Sequence, residues 1–120
     1  AELGRRELPG VVFRPAYFTP TFSKQAGVSC GGVQIHITDR QALRPVRMGI
    51  HLLHTLHALW PREFAWQRGD DGRHFIDLLL GGNGPRRALD GGATPAEIIA
   101  GWRDAEGTFE RRRRPFLLYE

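Results

Sequence analysis

The sequence predicts an α+β fold: a single small domain in which a sheet of about three short strands packs against two main helices. Segments 11–18 and 32–38 are rich in β-branched and aromatic residues, and the second alternates apolar with polar side chains, as half-buried strands do. Segments 46–60 and 95–112 instead repeat apolar residues at helical spacing. The apolar segment 115–119 begins with the proline that ends the last helix, and we expect it to return to the sheet as a third strand.

Length and composition limit the class of protein. A chain of 120 residues is typical of one domain with its own core, so we expect a single domain over residues 1–120, with residues 1–9 as an N-terminal lead-in. One cysteine cannot form an internal disulfide or a cysteine-rich zinc site. No apolar run approaches the roughly 20 residues that cross a bilayer, and we predict no membrane span.

The segment "CGGVQIHITD", which contains the predicted second strand, carries a cysteine, two glycines and a histidine. Cys30 and His36 lie roughly 20 Å apart in an extended chain, too far for a nucleophile and its base. We interpret the glycines as positions where backbone or ligand approaches closely, not as part of a thiol site. Side chains alternate between the two faces of this strand. The apolar face carries Val33, Ile35 and Ile37, and the polar face, which could meet a ligand, carries Gln34, His36 and Thr38.

The first long helix places histidines opposite its apolar stripe. Pro45 suits its first turn and Pro61 ends it. His51 and His54 lie one turn apart on the polar side, and His57 follows, which raises the possibility of a metal site. Because no carboxylate shares this face, we predict no metal there and a solvated or domain-facing polar surface instead. The predicted stripe consists of Val46, Ile50, Leu53, Leu56 and Trp60.

The glycine-rich segment "GGNGPRRAL" admits two interpretations. Its backbone N–H groups could cradle an anion with help from Arg86 and Arg87. It lacks the Lys-Ser/Thr ending of a phosphate-binding P-loop, however, and Pro85 is well placed in the first turn of a helix. Helix initiation is the favoured interpretation, and no motif of the chain indicates a cofactor.

The last helix has a clear local start and end. Thr94 as N-cap, Pro95 at the first position and Glu97 three residues after the cap form a capping box. The apolar stripe that should dock on the core contains Ile98, Trp102, Ala105 and Phe109. The arginine run 111–114 closes the helix, where cations complement the helix dipole. With a net charge of +4 this run could contact nucleic acid, but no aromatic residues interleave it, and we predict no nucleic-acid partner.

Taken in order, several motifs resemble the C-terminal part of the exo-β-N-acetylmuramidases, a family long catalogued as a domain of unknown function. They are "FRPAYFTPTFSKQAG", "CGGVQIHITDR", "LRPVRMGIHLL", the "LLLGG" and "RRAL" pair, and "RRRRPFLLY", and the resemblance extends from about Leu8 to Tyr119. It implies a Rossmann-like N-terminal domain that carries the catalytic chemistry, and the motifs of that domain are absent from these residues. It also implies removal of terminal N-acetylmuramic acid from peptidoglycan fragments by a secreted or periplasmic bacterial protein.

The resemblance therefore implies an accessory, substrate-shaping domain whose partners are the Rossmann-like N-terminal domain and muropeptides. Glycoside hydrolysis ordinarily needs two carboxyl groups that face one sugar. The acidic residues here fall in turns, caps and polar helix faces, so we assign no catalytic residue and expect no catalysis by this chain alone. The alternative is an independent carbohydrate- or anion-binding module without catalysis.

The candidate site lies in the long loop 19–32 and the strand that follows it. Loops held by a rigid sheet commonly carry function, and this one is longer than a plain connection needs, although a merely decorative loop is the alternative. Its aromatic, cationic and polar side chains suit a sugar, a lactyl carboxylate or a neighbouring domain. The candidate substrate-binding or domain-interface residues are Phe22, Lys24, Cys30, Gln34 and His36.

Overall fold

The computed structural model describes residues 2–119, and the chain divides into two compact units, residues 1–55 and residues 56–120. The first unit contains a 3-10 helix at Leu3–Arg6, strands β1 (Val11–Phe18) and β2 (Cys30–Ile37), and most of helix α1 (Pro45–Leu59). The α+β class is confirmed. The remaining elements are α2 (Phe75–Leu79), α3 (Gly84–Asp90), α4 (Pro95–Ala100), α5 (Arg103–Arg113) and a 3-10 helix at Arg114–Phe116.

The two strands form an antiparallel hairpin. Val11 pairs with Ile37 at one end and Phe18 with Cys30 at the other. The predicted strand 11–18 is confirmed at both ends. The second strand begins two residues earlier than the predicted 32–38, because Cys30 and Gly31 still pair with β1. The loop predicted at 19–32 is correspondingly shorter.

A glycine fixes the base of this hairpin. The carbonyl of Gly10 accepts hydrogen bonds from the backbone N–H groups of Thr38 (2.9 Å) and Asp39 (3.3 Å). Gly10 has φ +73°, and a Cβ at this position would collide with the Asp39 carbonyl oxygen and lie 2.7 Å from the Leu43 nitrogen. Only glycine fits a left-handed conformation and such a close backbone approach together.

The core of the first unit is small and centres on Ile50. This side chain of α1 is fully buried, and Leu3 and Val11 are buried as well. The predicted helix 46–60 is confirmed as α1, but its buried surface differs from the predicted stripe. Val46 is exposed, whereas Thr55 on the predicted polar side is buried and donates its hydroxyl to the His51 carbonyl at 2.8 Å. This hydrogen bond gives the buried hydroxyl a partner and so reduces the free-energy cost of burying it.

In the second unit the buried apolar residues include Leu89 of α3 and Pro95 and Ile98 of α4. Helix α4 begins as predicted. The Thr94 hydroxyl accepts from the Glu97 backbone N–H at 3.3 Å, and the Glu97 carboxylate accepts from the Thr94 N–H at 2.8 Å. The capping box is therefore confirmed. Helix α3 starts at Gly84 with Pro85 in its first turn, which confirms helix initiation for the glycine-rich segment.

The predicted continuous helix 95–112 is wrong, because the chain turns between α4 and α5. Gly101 caps α4, and the Trp102 N–H bonds to the Ile99 carbonyl at 3.2 Å in a tighter turn. Gly101 itself keeps a right-handed backbone, with φ −64° and ψ −13°. The predicted apolar stripe is interrupted accordingly: Ile98 is buried, but Phe109 on α5 is exposed.

The predicted third strand at 115–119 is also wrong. Arg114–Phe116 forms a 3-10 helix, and the sheet contains two strands within residues 2–119. Phe116, Leu118 and Tyr119 are all strongly exposed. A strand needs a neighbour for its backbone groups, and apolar composition alone does not supply one.

Candidate functional site

One face of the hairpin is apolar throughout and is exposed along β2, although Val11 at one end of β1 is buried. Directly paired residues share a face in an antiparallel ladder. The predicted apolar residues of β2 remain 42%, 42% and 55% exposed at Val33, Ile35 and Ile37. The register therefore creates a surface without a charged side chain, which we call the apolar face; it consists of Val11, Phe13, Pro15 and Tyr17 with Gly31, Val33, Ile35 and Ile37. A half-buried strand was predicted, and the side that should be buried is instead open.

The opposite face brings together three of the five predicted site residues. Cys30, Gln34 and His36 alternate along β2 and point to the same side. Gln34 is exposed, whereas His36 is partly buried, and its Nε2 is shielded from solvent without a hydrogen-bond partner in residues 2–119. The Cys30 thiol donates to the Val28 carbonyl at 3.4 Å. This surface offers donors and acceptors and holds no nucleophile–base pair.

The remaining two predicted residues lie in the loop at 19–29, which is folded on itself. The Gly27 N–H bonds to the Pro20 carbonyl at 2.9 Å, and the Val28 N–H to the Gln25 carbonyl at 3.0 Å. Phe22 and Lys24 extend from this loop and are exposed. No hydrogen bond or ion pair in residues 2–119 links Lys24 to the polar face, so the structure presents both loop residues to solvent.

The strand glycines have a role that the sequence interpretation missed. A Cβ at Gly31 would lie 3.5 Å from the Tyr17 ring, and a Cβ at Gly32 would lie 2.9 Å from the Phe18 ring. The expected close approach is thus made by aromatic side chains of β1. Because Tyr17 and Phe18 are adjacent in a strand, their rings lie on opposite faces of the hairpin. The signal in the sequence is the Gly-Gly pair opposite two adjacent aromatic residues.

Two of the three histidines of α1, His51 and His54, contact the side chain of Arg6. Nη1 of Arg6 lies 3.5 Å from Nδ1 of His51, and Nη2 of Arg6 lies 3.2 Å from Nδ1 of His54. Burial lowers the pKa of His51, and the charges of Arg6 and His54 lower it further. No group of three or more His, Cys, Asp or Glu side chains in residues 2–119 is arranged to hold a metal ion. That His51 and His54 bind no metal remains a prediction.

The second unit contains a chain of polar contacts that joins α2 to α3. Arg86 holds the carboxylate of Asp77 through two hydrogen bonds of 2.8 and 3.0 Å and lies 3.7 Å from Asp90. Trp66 donates its indole N–H to Asp90 at 2.6 Å. The Nδ1 atom of His74 lies 3.8 Å from the Asp77 carboxylate. Arg86 is thus engaged by two carboxylates, which argues against its assisting an anion cradle in the glycine-rich segment.

Beside this network lies an open depression of about 410 Å³. The hydrogen bonds from Arg86 lower the pKa of Asp77, so this carboxylate stays ionised. The catalytic acid of a glycosidase needs the opposite, a raised pKa that retains a proton. Asp77 therefore does not suit that role. The lining residues are Arg73, His74, Asp77, Leu78, Gly81 and Gly82.

A family model described as "Exo-beta-N-acetylmuramidase NamZ, C-terminal" matches residues 1–119. The chain belongs to this family. A curated relative, "Peptidoglycan beta-N-acetylmuramidase NamZ" from Bacillus subtilis (strain 168), is 35% identical over 117 residues, which cover 98% of this chain and 27% of the relative. The sequence resemblance is therefore confirmed, and the chain spans about a quarter of that relative's length.

A solved structure supports the fold of this chain. The crystal structure of a DUF1343 family protein from Bacteroides fragilis NCTC 9343 matches with a TM-score of 0.81 at 26% sequence identity. The match covers 99% of this chain and 31% of that protein. Within the described part of the chain, no helix is both long enough and apolar enough to traverse a membrane.

Proposed function

We propose that this chain is the accessory C-terminal domain of a longer peptidoglycan β-N-acetylmuramidase and that it shapes the substrate site beside a catalytic N-terminal domain. The observation that carries the proposal is the family match over residues 1–119. The Bacillus relative, a peptidoglycan β-N-acetylmuramidase, supplies the activity and the substrate class. Cell-wall turnover is the process that such an activity serves, and we extend the proposal to a secreted or periplasmic protein.

The apolar face is the proposed contact with the N-terminal domain. Val33, Ile35 and Ile37 expose a continuous strip of aliphatic surface, and burying apolar surface contributes about 25 cal/mol per Å². The relative extends well beyond the region that this chain matches. In a protein of that length, the additional residues could cover such a strip. A face without charged residues suits a permanent intramolecular contact better than a transient one.

The loop 19–29 and the polar face are the proposed substrate contacts. Lys24 is an exposed cation suited to the lactyl carboxylate of N-acetylmuramic acid, and Phe22 is an exposed ring suited to the apolar side of a sugar. Gln34 and His36 supply hydrogen-bonding groups from the adjacent strand. The acid and base of the hydrolysis are assigned to the N-terminal domain.

The test uses the full-length protein that carries this chain. Lys24→Ala and His36→Ala should each lower kcat/KM on muramyl substrates about tenfold, as loss of one binding interaction of roughly 1.4 kcal/mol does, with an unchanged melting temperature. Arg62→Ala is a matched control on an exposed cation outside the site. Unchanged kinetics in both site variants would refute the substrate role.

A separate variant tests the domain contact. Ile35→Lys places a charge in the centre of the apolar face and should lower the melting temperature of the full-length protein by several degrees, because the contact would bury an unpaired charge. Val46→Lys alters an aliphatic residue of similar exposure on α1 and serves as the control. Equal melting temperatures for the two variants would argue against docking through this face.

The second candidate function is an independent carbohydrate-binding module. The exposed rings of Tyr17 and Phe22 favour it, since aromatic side chains offer an apolar face with a polar margin. Calorimetry of the 120-residue chain with muropeptides separates the two functions. Clear binding by this chain alone would favour the module, whereas binding only in the full-length protein favours the accessory domain.

A further inference from the structure

The contact of Arg6 with two histidines fixes the protonation state of both rings. A guanidinium group only donates hydrogen bonds. The Nδ1 atoms of His51 and His54 face Arg6 at 3.5 and 3.2 Å and must therefore accept. Each ring then carries its single hydrogen on Nε2, and the observed geometry requires that both imidazoles are neutral.

A proton on either ring would oppose this arrangement. It would occupy the Nδ1 lone pair to which Arg6 donates and place a second positive charge beside the guanidinium. Burial and the positive charge of Arg6 both lower the pKa of His51, and a proton on the neighbouring His54 would lower it further. Glu2, just before this segment, forms an ion pair with Arg5 at 3.5 Å.

The arginine is the polar attachment of the 3-10 helix Leu3–Arg6 to α1. Leu3 of this segment is buried, and Nε of Arg6 is buried without a hydrogen-bond partner in residues 2–119. The left-handed conformation of Glu7, φ 44° and ψ 49°, ends the segment. Such a conformation is strained for a residue with a side chain and persists only when its surroundings hold it.

We propose that Arg6, His51 and His54 form a pH-sensitive clasp, which holds Leu3–Arg6 on α1 while both imidazoles are neutral and opens when either ring binds a proton at Nδ1. The clasp is independent of the substrate role proposed above. The proton comes from solvent, and its binding changes no covalent bond of the chain other than the new N–H. The clasp therefore responds to pH alone and needs no further ligand.

Hydrogen exchange followed by mass spectrometry tests the clasp on the whole 120-residue chain. After correction for the intrinsic pH dependence of exchange, amides of Leu3–Arg6 should exchange about tenfold faster at pH 5.5 than at pH 7.5, because the lower pH favours a proton on either ring. Amides in the middle of α1 should keep their protection at both pH values. Equal corrected rates in the segment, or simultaneous loss of protection in α1, would overturn the proposal.

Variants separate the clasp from other pH effects. The double substitution His51→Gln and His54→Gln keeps hydrogen-bond acceptors but cannot titrate, and it should abolish the pH effect. Arg6→Gln should give fast exchange at both pH values and raise the pKa of His51, measured by NMR, by removing a nearby cation. His36→Gln is the control on a histidine outside the clasp and should leave the pH effect intact. A pH effect that persists in the double variant would contradict the clasp.

Discussion

Arg86 donates a hydrogen bond to each oxygen of the Asp77 carboxylate, from Nε to Oδ1 at 2.8 Å and from Nη2 to Oδ2 at 3.0 Å. The two side chains are only 15% and 19% exposed. The planar guanidinium matches the carboxylate at two points, and an ammonium group cannot reproduce that geometry. The pair joins α2 to α3 in a unit that has few buried aliphatic side chains, so polar contacts carry much of its organisation.

Arg86→Lys should lower the free energy of unfolding, because lysine keeps the charge but loses the two-point contact with Asp77. The matched control is Arg73→Lys. Arg73 pairs with Asp71 at 3.0 Å, but these side chains are 71% and 53% exposed, and exposed pairs contribute little. Urea unfolding should show a lower midpoint for Arg86→Lys and an unchanged midpoint for Arg73→Lys. Equal midpoints for the two variants would contradict the prediction.

Asp77 should make stability depend on pH in the acid range. Its folded-state pKa is lowered by the hydrogen bonds from Arg86, so the unfolded chain binds a proton first as the pH falls. The stabilisation is complete above the ordinary value of about 3.9 and is lost as the pH falls from there through the lowered folded pKa. Asp77→Asn should flatten this part of a stability profile measured by urea unfolding between pH 5 and pH 2. If the profile of the variant were as steep as that of the unaltered chain, Asp77 would not be the source of this pH dependence.

Gly10→Ala should destabilise the hairpin strongly. The substitution combines a left-handed backbone with a collision against the Asp39 carbonyl, and strain of this kind costs roughly 1–3 kcal/mol or more. Gly27→Ala is the control, because Gly27 has φ +78° but nothing within 4 Å of an added Cβ. Thermal unfolding should show a clearly larger loss for Gly10→Ala. A loss no larger than that of Gly27→Ala would show that the collision relaxes freely.

Thr94→Ala should cost about 1 kcal/mol of unfolding free energy, since it removes the N-cap hydroxyl of α4 and half of the capping box. Thr108→Ala within α5 removes a similar exposed hydroxyl at a helix-interior position, where alanine is the better helix former. Circular dichroism during urea unfolding should separate the two variants. Similar stabilities would mean that the capping box does not stabilise α4.

Features set by neighbours in the chain could be predicted from the sequence. The β-branched and aromatic residues of β1, the proline at the start of α1 and the Thr94–Glu97 capping box are all local features of the sequence. The shared face of Gln34 and His36 follows from strand geometry in the same way.

Features that depend on distant residues were not predictable. Arg6 meets His51 and His54 across more than forty positions of sequence, and no local pattern couples them. The apolar composition of segment 115–119 predicts a strand that is covered by the rest of the fold, but its side chains are exposed. Composition indicates which surfaces favour burial, whereas the partner that buries them lies outside the local sequence. The single domain over residues 1–120 and the substrate role of Phe22 and Lys24 stay predictions.

The hairpin also has a consequence for how the chain meets other polypeptides. Each of its strands has one neighbour within residues 2–119, so one edge of each strand carries backbone N–H and C=O groups free of ladder bonds. Such edges template the addition of a further strand. Pro15 has no N–H and interrupts this capacity in β1, whereas β2 contains no proline. An extended segment of another polypeptide would therefore add alongside β2, which makes Cys30–Ile37 the strand that most needs covering to prevent aggregation.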